Sequence, residues 1–179
     1  AKKIDNGQLI LPTDDMERNM YWYVKNTLEL RGYKHYEISN FAKRGYESRH
    51  NMNCWNQSHY FGFGAAAHSY RDITRYSNTP NIEEYIKNIK MGDIAKNRII
   101  HEIQKESDRE KEYMLLGLRK IKGVKINDFK AKFVKNPIYV FRNELKKLSD
   151  ENLIAVDANS IRLTPRGIDL ANLVWEEFI

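Results

Sequence analysis

The segment Arg49–Trp55, RHNMNCW, places a histidine, the only cysteine of the chain and a tryptophan within six residues. Imidazole and thiolate bind soft or borderline metals well, and an indole offers a flat apolar face. His50 and Cys54 are four residues apart and share one face if the segment is helical. The pattern is compatible with a metal or haem site. From residue types alone, the commoner alternative is a hydrogen-bonding histidine beside a small buried cysteine.

A second group of polar side chains, Glu37, Ser39 and Asn40, lies on or beside a predicted strand, residues 33–41. The apolar residues of this segment alternate with polar ones, so one face is expected to be apolar. If the strand belongs to a parallel barrel, the polar side chains face the interior or its mouth, where barrel active sites lie. A half-exposed edge strand is an equally good interpretation.

Two glycines, Gly62 and Gly64, lie in YFGFGAAAHSY, residues 60–70. Residues 60–63 are expected to form a short buried strand, and the GAAAHS that follows is expected to turn into a helix. Because glycine has no side chain, another backbone or a ligand could approach closely at both positions.

The elements that position these residues begin with a predicted helix over residues 12–32, which Thr13 caps and Gly32 ends. A helix followed within two residues by a strand is half of an α/β unit, which cannot close its own sheet. The first half of the chain is therefore expected to be the end of something larger. The other elements predicted here are a strand piece at 9–11, a polar loop at 42–59, a strand at 75–79 and a helix at 81–91.

The second half has a different order of elements. A predicted helix at 107–121 opens with the capping box SDRE, and the turn at 157–160 separates two strands of a predicted hairpin. Three helices, a hairpin and a closing helix are the order of a winged-helix domain. The further segments are helices at 127–133 and 137–148, strands at 153–156 and 161–164, and a last helix that begins at Pro165.

Composition limits the kind of protein. The chain has 179 residues, of which 41% are hydrophobic and 30% charged, as in a soluble globular protein. Its single cysteine excludes an internal disulfide, a four-cysteine zinc site and a self-contained iron–sulfur cluster. No apolar run approaches the roughly 20 residues that span a bilayer, and the first residues lack the features of a signal peptide. We expect a reducing cytoplasm.

A winged-helix module suggests nucleic-acid binding as an alternative function. The helix at 137–148 would enter the major groove with Arg142, Lys146 and Lys147. The net charge of +6 is spread thinly, because residues 1–99 contribute +4 (15 basic, 11 acidic) and residues 100–179 contribute +2 (15 basic, 13 acidic). This distribution argues against a nucleic-acid partner.

Two longer segments of the sequence resemble those of a known protein family. YEISNFAKRGYESRHNMNCW followed by YFGFGAAAHSY resembles the oxygen-independent coproporphyrinogen III oxidase-like family of radical S-adenosylmethionine proteins, and within it the haem-chaperone branch. That branch typically shows YEISNFA, a His-Asn-x-x-Tyr-Trp motif and a GxGxxAHS turn. The strings LLGLR and LTPRG are similar to its C-terminal helical module.

The resemblance implies a role in haem handling for the segment 49–55. His50, Asn51 and Trp55 match the motif of the branch, whereas Cys54 stands where the branch usually has tyrosine. His50 and Cys54 are the candidate ligands of haem iron. The residues expected to bind haem or cofactor are His50, Asn51, Cys54, Trp55, Glu37, Ser39, Asn40, Gly62, Gly64 and His68.

The resemblance also implies a fold of α/β plus α. Residues 1–95 would be the terminal portion of a partial (β/α) barrel, residues 96–106 a linker, and residues 107–179 a helical winged-helix-like C-terminal domain. The family's Cys-x-x-x-Cys-x-x-Cys motif is absent from this sequence. The chain is therefore expected to be a C-terminal fragment without enzymatic activity, and the [4Fe-4S] cluster and S-adenosylmethionine are expected to bind mainly to the missing N-terminal part.

The function implied for the full protein is either haem binding and delivery or oxidative decarboxylation of coproporphyrinogen III to protoporphyrinogen IX. The expected partners are porphyrin or haem, haem-accepting proteins and a membrane surface, but not nucleic acid. Since the strand at 34–41 would have lost neighbours on at least one side, self-association of the fragment is also expected.

Overall fold

The computed structural model describes residues 6–7 and 11–179. The chain divides into two compact units, residues 1–47 and residues 48–179. The strand piece expected at 9–11 falls mostly outside the described residues. Among the described residues, no helix is long and apolar enough to cross a membrane.

The described residues of the first unit form one helix and one hairpin. Helix α1 (Asp14–Leu30) begins where the Thr13 side chain accepts a hydrogen bond of 3.3 Å from the Met16 amide. It is followed by Gly32, whose φ of +77° suits glycine and allows the chain to turn. The predicted helix over residues 12–32 is thus confirmed. Strands β1 (Lys34–Glu37) and β2 (Asn40–Ala42) then pair in an antiparallel manner.

The single strand predicted for residues 33–41 is wrong, because the chain reverses between Glu37 and Asn40. The side chain of Glu37 accepts a hydrogen bond of 3.2 Å from the Ser39 amide and another from the Asn40 side chain, which stabilises the turn. The expected alternation is wrong as well. His35, Tyr36 and Glu37 are all buried.

The second unit opens with helix α2 (Arg49–Trp55), in a segment predicted to be loop. Ser48 caps this helix by accepting a hydrogen bond of 3.2 Å from the Asn51 amide. Residues 60–63 do not form the predicted strand, and Tyr60 makes only an isolated bridge to Tyr70. The GAAAHS segment leads into a strand rather than the predicted helix.

A three-stranded antiparallel sheet follows, in the order β3 (His68–Arg71), β4 (Thr74–Asn78), β5 (Arg98–Ile103). Helix α3 (Ile82–Lys90) and a short 3₁₀ helix (Ile94–Asn97) connect β4 to β5. The strand predicted at 75–79 and the helix predicted at 81–91 are confirmed. Residues 96–106, expected to be a linker, include β5, which pairs along β4.

The last part of the chain is mainly helical. The helix predicted at 137–148 is divided at Phe141, whose backbone leaves the helical region. The predicted hairpin is confirmed, and the closing helix begins at Pro165 as predicted but is divided at Leu170. The three strands pair in the order β6-β8-β7. The elements are α4 (Glu106–Gly117), β6 (Val124–Lys125), α5 (Ile126–Phe133), α6 (Pro137–Val140), α7 (Arg142–Asp150), β7 (Ile154–Val156), β8 (Ser160–Leu163), α8 (Pro165–Asp169) and α9 (Ala171–Glu176).

The core of this part is aromatic. Phe129 is fully buried and meets Tyr113 and Phe141 edge to face, with ring centroids 5.8 and 6.0 Å apart. Phe141 makes the same kind of contact with Phe178, at 5.4 Å. Such pairs add about 0.5–1.5 kcal/mol each beyond the burial of their area. They join α4, α5 and the end of the chain into one core, and α2 packs against α4.

Candidate functional site

His50 and Cys54 lie on one face of α2, as their spacing predicts. The Cys54 Sγ is 3.8 Å from the His50 Nε2. His50 is exposed and Cys54 is half-buried. Burial raises the pKa of the Cys54 thiol, so at neutral pH the thiol form dominates. The imidazole is therefore the more available metal ligand of the two.

Trp55, the last residue of α2, stacks on a guanidinium group. The Arg119 Cζ lies 4.5 Å from the centroid of the Trp55 ring and 4.7 Å from the centroid of the Trp175 ring. One cation thus contacts two indoles, a favourable arrangement when it is partly desolvated. Because the Trp55 ring already contacts Arg119 within the protein, it is less free to pack on a porphyrin.

Two lysines lie at the C-terminal end of α2. The Lys120 Nζ donates a hydrogen bond of 2.6 Å to the Asn56 side-chain oxygen. The Lys132 Nζ donates to the backbone carbonyl oxygens of Asn56 and Gln57, at 3.3 and 2.9 Å. Both cations lie where the helix presents unpaired carbonyl groups and partial negative charge.

Burial dominates the acid–base chemistry of both lysines. It lowers the pKa of Lys132 to about 8, and the nearby charges of Arg109 and Lys120 act in the same direction. Burial also lowers the pKa of Lys120. In both cases the low-dielectric surroundings disfavour the charged form.

Gln57 connects α2 to a buried polar network. Its side-chain amide donates hydrogen bonds to the Arg109 carbonyl (3.1 Å) and the Glu112 carboxylate (2.8 Å). Gln104 also donates to Glu112, at 3.0 Å, and Arg75 forms an ion pair with it. Burial alone would raise the pKa of the Glu112 carboxyl, but these three donors outweigh it and the pKa is lowered.

Gly62 and Gly64 both have structural roles. A Cβ on Gly62 would lie 2.3 Å from the His68 carbonyl oxygen, so the chain's own backbone makes the close approach that the sequence predicts. Gly64 has a φ of +107°, a conformation that glycine alone adopts easily. The buried Asn78 side chain donates to both glycine carbonyls, at 3.2 and 2.8 Å. Their role in binding a cofactor stays a prediction.

His68 lies on β3 with its side chain exposed. Its ring stacks on that of His101, with centroids 5.3 Å apart and planes 19° from parallel. The His101 Nε2 lies 2.8 Å from the Ser77 Oγ. Within the described residues, no three His, Cys, Asp or Glu side chains are grouped so as to hold a metal ion.

Glu37, Ser39 and Asn40 come together in the first unit, at the turn of the β1–β2 hairpin. Glu37 is completely buried, and its Oε1 accepts the two hydrogen bonds that hold the turn. Its Oε2 has no hydrogen-bond partner among the described residues. A buried carboxylate oxygen without a donor is costly, which makes Glu37 the best candidate of this group for contact with a ligand.

The contacts of α2 include residues that the motif analysis missed as functional candidates. Those that are hydrogen-bonded to the end of α2 lie between 55 and 76 positions from their partners there, and Trp175 lies 120 positions from Trp55, so no local spacing could indicate them. The only sequence signal is that Arg119 belongs to the LLGLR string. The missed residues are Glu112, Arg119, Lys120, Lys132 and Trp175.

Comparisons with known proteins bear on this arrangement. Residues 105–170 match the HemN C-terminal domain. The heme chaperone HemW of Bacillus subtilis is 39% identical over 176 residues, which cover 98% of this chain and 46% of that protein. The heme chaperone HemW of Lactococcus lactis is 35% identical over 173 residues, covering 97% of this chain and 45% of that protein.

A solved structure has the same fold. Coproporphyrinogen III oxidase (HemN) from Escherichia coli, described as a radical SAM enzyme, superimposes with a TM-score of 0.68 over 94% of this chain and 42% of that one, at 15% identity. The mixed α/β architecture thus resembles that of a HemN-type protein. Together with the sequence relatives, it confirms the resemblance carried by the motifs, and the chain belongs to the HemN/HemW-type family. The chain spans about half the length of the relatives it matches.

Proposed function

We propose that this chain is the haem-binding part of a haem chaperone that receives haem and delivers it to other proteins. The observation that supports this most is the exposed His50 imidazole, with Cys54 beside it at 3.8 Å, on a short helix fixed at its far end. The two sequence relatives are both named heme chaperones. The same findings favour this function over the nucleic-acid alternative.

His50 is the proposed axial ligand. Two side chains from one helix face approach a flat porphyrin from the same side, so they cannot occupy the two opposite axial positions of one iron. Only one of the two side chains can therefore be the axial ligand. Because its raised pKa keeps Cys54 protonated at neutral pH, the neutral imidazole nitrogen of His50 is the better donor.

The remaining residues of the motif have supporting roles in this proposal. Arg49 is exposed beside His50 and can pair with a haem propionate, as a guanidinium does with carboxylates. Asn51 holds the start of the helix through its backbone amide. Glu37, with its unpartnered Oε2, is proposed to meet a donor group of a ligand, together with Ser39 and Asn40.

The [4Fe-4S] cluster and S-adenosylmethionine belong to the family but not to the residues of this chain. One cysteine cannot supply the three or four thiolates that a cluster needs. The cluster would therefore be held elsewhere in the whole protein. The residues described here bind, orient and release haem, and haem-accepting proteins are the proposed partners.

We also propose a winged-helix architecture for the C-terminal part of the chain and a partial barrel for the N-terminal part. Residues 107–179 have the helix, helix, helix, hairpin order of a winged-helix domain, with α4, α5 and α7 as the three long helices. Residues 1–95 are proposed to complete a partial (β/α) barrel. The pairings described in this range are antiparallel, so the parallel strands would be supplied by other residues.

A haemin titration followed by Soret absorption tests the function. We expect saturable binding by the parent chain, a loss of at least about tenfold in affinity in His50→Ala, and near-parent binding in Cys54→Ala. His59→Ala is the matched control, since this histidine is also exposed and lies four residues beyond α2. Absence of saturable binding in the parent, or equal binding by His50→Ala and His59→Ala, would overturn the proposal.

A further inference from the structure

Helix α2 ends in a strained conformation. The amides of Gln57 and Ser58 bond back to the carbonyls of Cys54 and Asn53, at 2.9 Å each, which closes the helix with a left-handed residue. That residue is Gln57, with a φ of 51°. Glycine usually occupies this place, and a residue with a side chain costs about 1 kcal/mol or more there. Something in the structure must hold it.

The holding groups all come from the domain at residues 105–170. Lys132 donates to the carbonyls of Asn56 and Gln57, Lys120 donates to the Asn56 side chain, and Glu112 accepts from the Gln57 side chain. Gln57 itself is buried. Five hydrogen bonds therefore join these two consecutive residues to the domain: lysine ammonium groups donate three, and the Gln57 side chain donates two, to the Arg109 carbonyl and the Glu112 carboxylate.

Arg119 adds a contact at the last residue of the helix itself. Its guanidinium lies between the rings of Trp55 and Trp175. The Arg119 Nε and both indole nitrogens are buried without hydrogen-bond partners among the described residues. Such a costly arrangement is maintained only when the stacking it permits is worth more.

We propose that Lys120, Lys132 and Arg119 form a cationic clamp by which the HemN C-terminal domain holds the helix Arg49–Trp55, so that the exposed His50 is presented in one fixed orientation. These three are positioning residues, because they touch the helix end and not the ligand. A seven-residue helix is not stable alone in water. Cations at its C-terminal end satisfy the free carbonyls and oppose the negative end of the helix dipole.

The clamp gives the C-terminal domain a definite role, because it orders the helix before haem arrives. A ligand whose geometry is already set loses less conformational entropy on binding, so affinity is gained without any new contact. This inference rests on the proposed haem-binding function for its use, but the clamp itself is a property of the free protein and can be measured without haem.

The first experiment measures hydrogen exchange of the full chain without haemin. Lys132→Met keeps the length of the side chain and removes its charge, and the exposed Lys130 on the same helix provides the matched control, Lys130→Met. We expect the amides of residues 52–58 to lose protection by about tenfold in Lys132→Met. The amides of α4 and α5 should stay as in the parent. Unchanged protection of residues 52–58 would overturn the clamp.

The second experiment is a haemin titration of Lys132→Met, Lys132→Arg and Lys130→Met. The expected result is about tenfold weaker binding in Lys132→Met, restoration by Lys132→Arg, and no change in Lys130→Met. Arg119→Met and Arg119→Lys form a parallel pair, in which the lysine restores charge but not the planar stack. If the parent binds haemin and both Lys132→Met and Arg119→Met bind it with the same affinity, the clamp is overturned while the proposed function stands.

A pH series separates the clamp from simple loss of stability. The charged groups that face Lys132 are Arg109, Glu112 and Lys120. As pH rises from 7 to 9 the parent loses charge at Lys132, so its haemin affinity should fall relative to that of Lys132→Arg, whose guanidinium stays charged. Parallel pH profiles of the two proteins would count against the clamp. If the parent does not bind haemin at all, the proposed function fails, and the exchange experiment still decides the clamp.

Discussion

The side-chain amide of Gln57 donates a hydrogen bond of 2.8 Å to the carboxylate of Glu112, a residue 55 positions further along the chain. The same carboxylate accepts from Gln104 and pairs with Arg75. Glu112 is therefore the point at which the end of α2, the β3-β4-β5 sheet and helix α4 are joined by hydrogen bonds.

Replacing Glu112 by alanine should lower the free energy of unfolding by about 2–3 kcal/mol, because the buried Gln104 amide would lose its acceptor. Gln57 and the half-buried Arg75 would each lose one of their two partners. Glu102→Ala is the control, since Glu102 lies 3.4 Å from the same arginine with 45% of its side chain exposed. The control should lose no more than about 1 kcal/mol. Urea unfolding of both variants makes the comparison, and equal losses would show that Glu112 is an ordinary surface partner.

The sequence indicated those elements whose signals are local. The caps at Thr13 and at Thr164 with Pro165 lie next to the helices they begin, and both helices are confirmed. Strand β5 gave no such signal. Its pairing with residues 74–78 supplies most of its order, and its residues are exposed on both faces, so no alternation pointed to a strand.

In the candidate site, too, local features could be predicted from the sequence and long-range ones could not. The i, i+4 relation of His50 and Cys54 is a property of five consecutive residues and was predictable. Helix α2 itself was not, because the contacts that hold it come from Arg119, Lys120 and Lys132, far along the chain. The reversal at Ser39 was missed for another reason. The segment has strong strand propensity, and a buried side-chain hydrogen bond to Glu37 overrides it.

The hairpin β7–β8 should show a specific dependence on acid. Hydrogen bonds from Arg162 and from the amides of Asn159 and Ser160 lower the pKa of Asp157 to about 2, from a usual value of 3.8. A lowered pKa means that the folded state binds the proton less readily than the unfolded state. Asp157 therefore contributes stability above about pH 3.8, and this contribution is lost as the pH falls towards 2.

Asp157→Asn should remove that part of the pH dependence, and Arg162→Met should reduce it. Urea unfolding between pH 6 and the lowest pH at which the parent is still folded provides the measurement. A double-mutant cycle isolates the coupling of the two side chains. If the free energies of unfolding of the parent and of Asp157→Asn fall equally as the pH is lowered, the hydrogen bonds of the turn do not act in solution.

Nucleic-acid binding should be weak. On α7, which lies in the segment proposed as a recognition helix, Lys146 pairs with Asp150 and Lys147 pairs with Glu177. Two of its cations are thus already neutralised. Fluorescence anisotropy with random duplex DNA at physiological salt should give a Kd no tighter than about 10⁻⁶ M. Submicromolar binding that weakens steeply with salt would restore the nucleic-acid function.

The chain should associate through β5. This strand lies at one end of its sheet, and the side chains of Ile99, Ile100 and Ile103 are exposed. An exposed apolar edge strand offers unpaired backbone groups to another chain. Sedimentation velocity should show concentration-dependent association of the parent and a shift towards monomer in Ile100→Lys. Ile94→Lys, an exposed isoleucine outside the strand, is the control, and an equal shift there would exclude β5 as the interface.

The stack of Trp55, Arg119 and Trp175 has a consequence for the order of events during synthesis. Its two indoles are separated by 120 positions in the sequence, so the contact closes a very long loop and forms late in folding. On the ribosome, the chain emerges from its N-terminus, and the segment 49–55 is exposed long before Trp175 has been made. The helix Arg49–Trp55 therefore gains its last stabilising contact only after the whole segment that matches the HemN C-terminal domain, residues 105–170, has been synthesised.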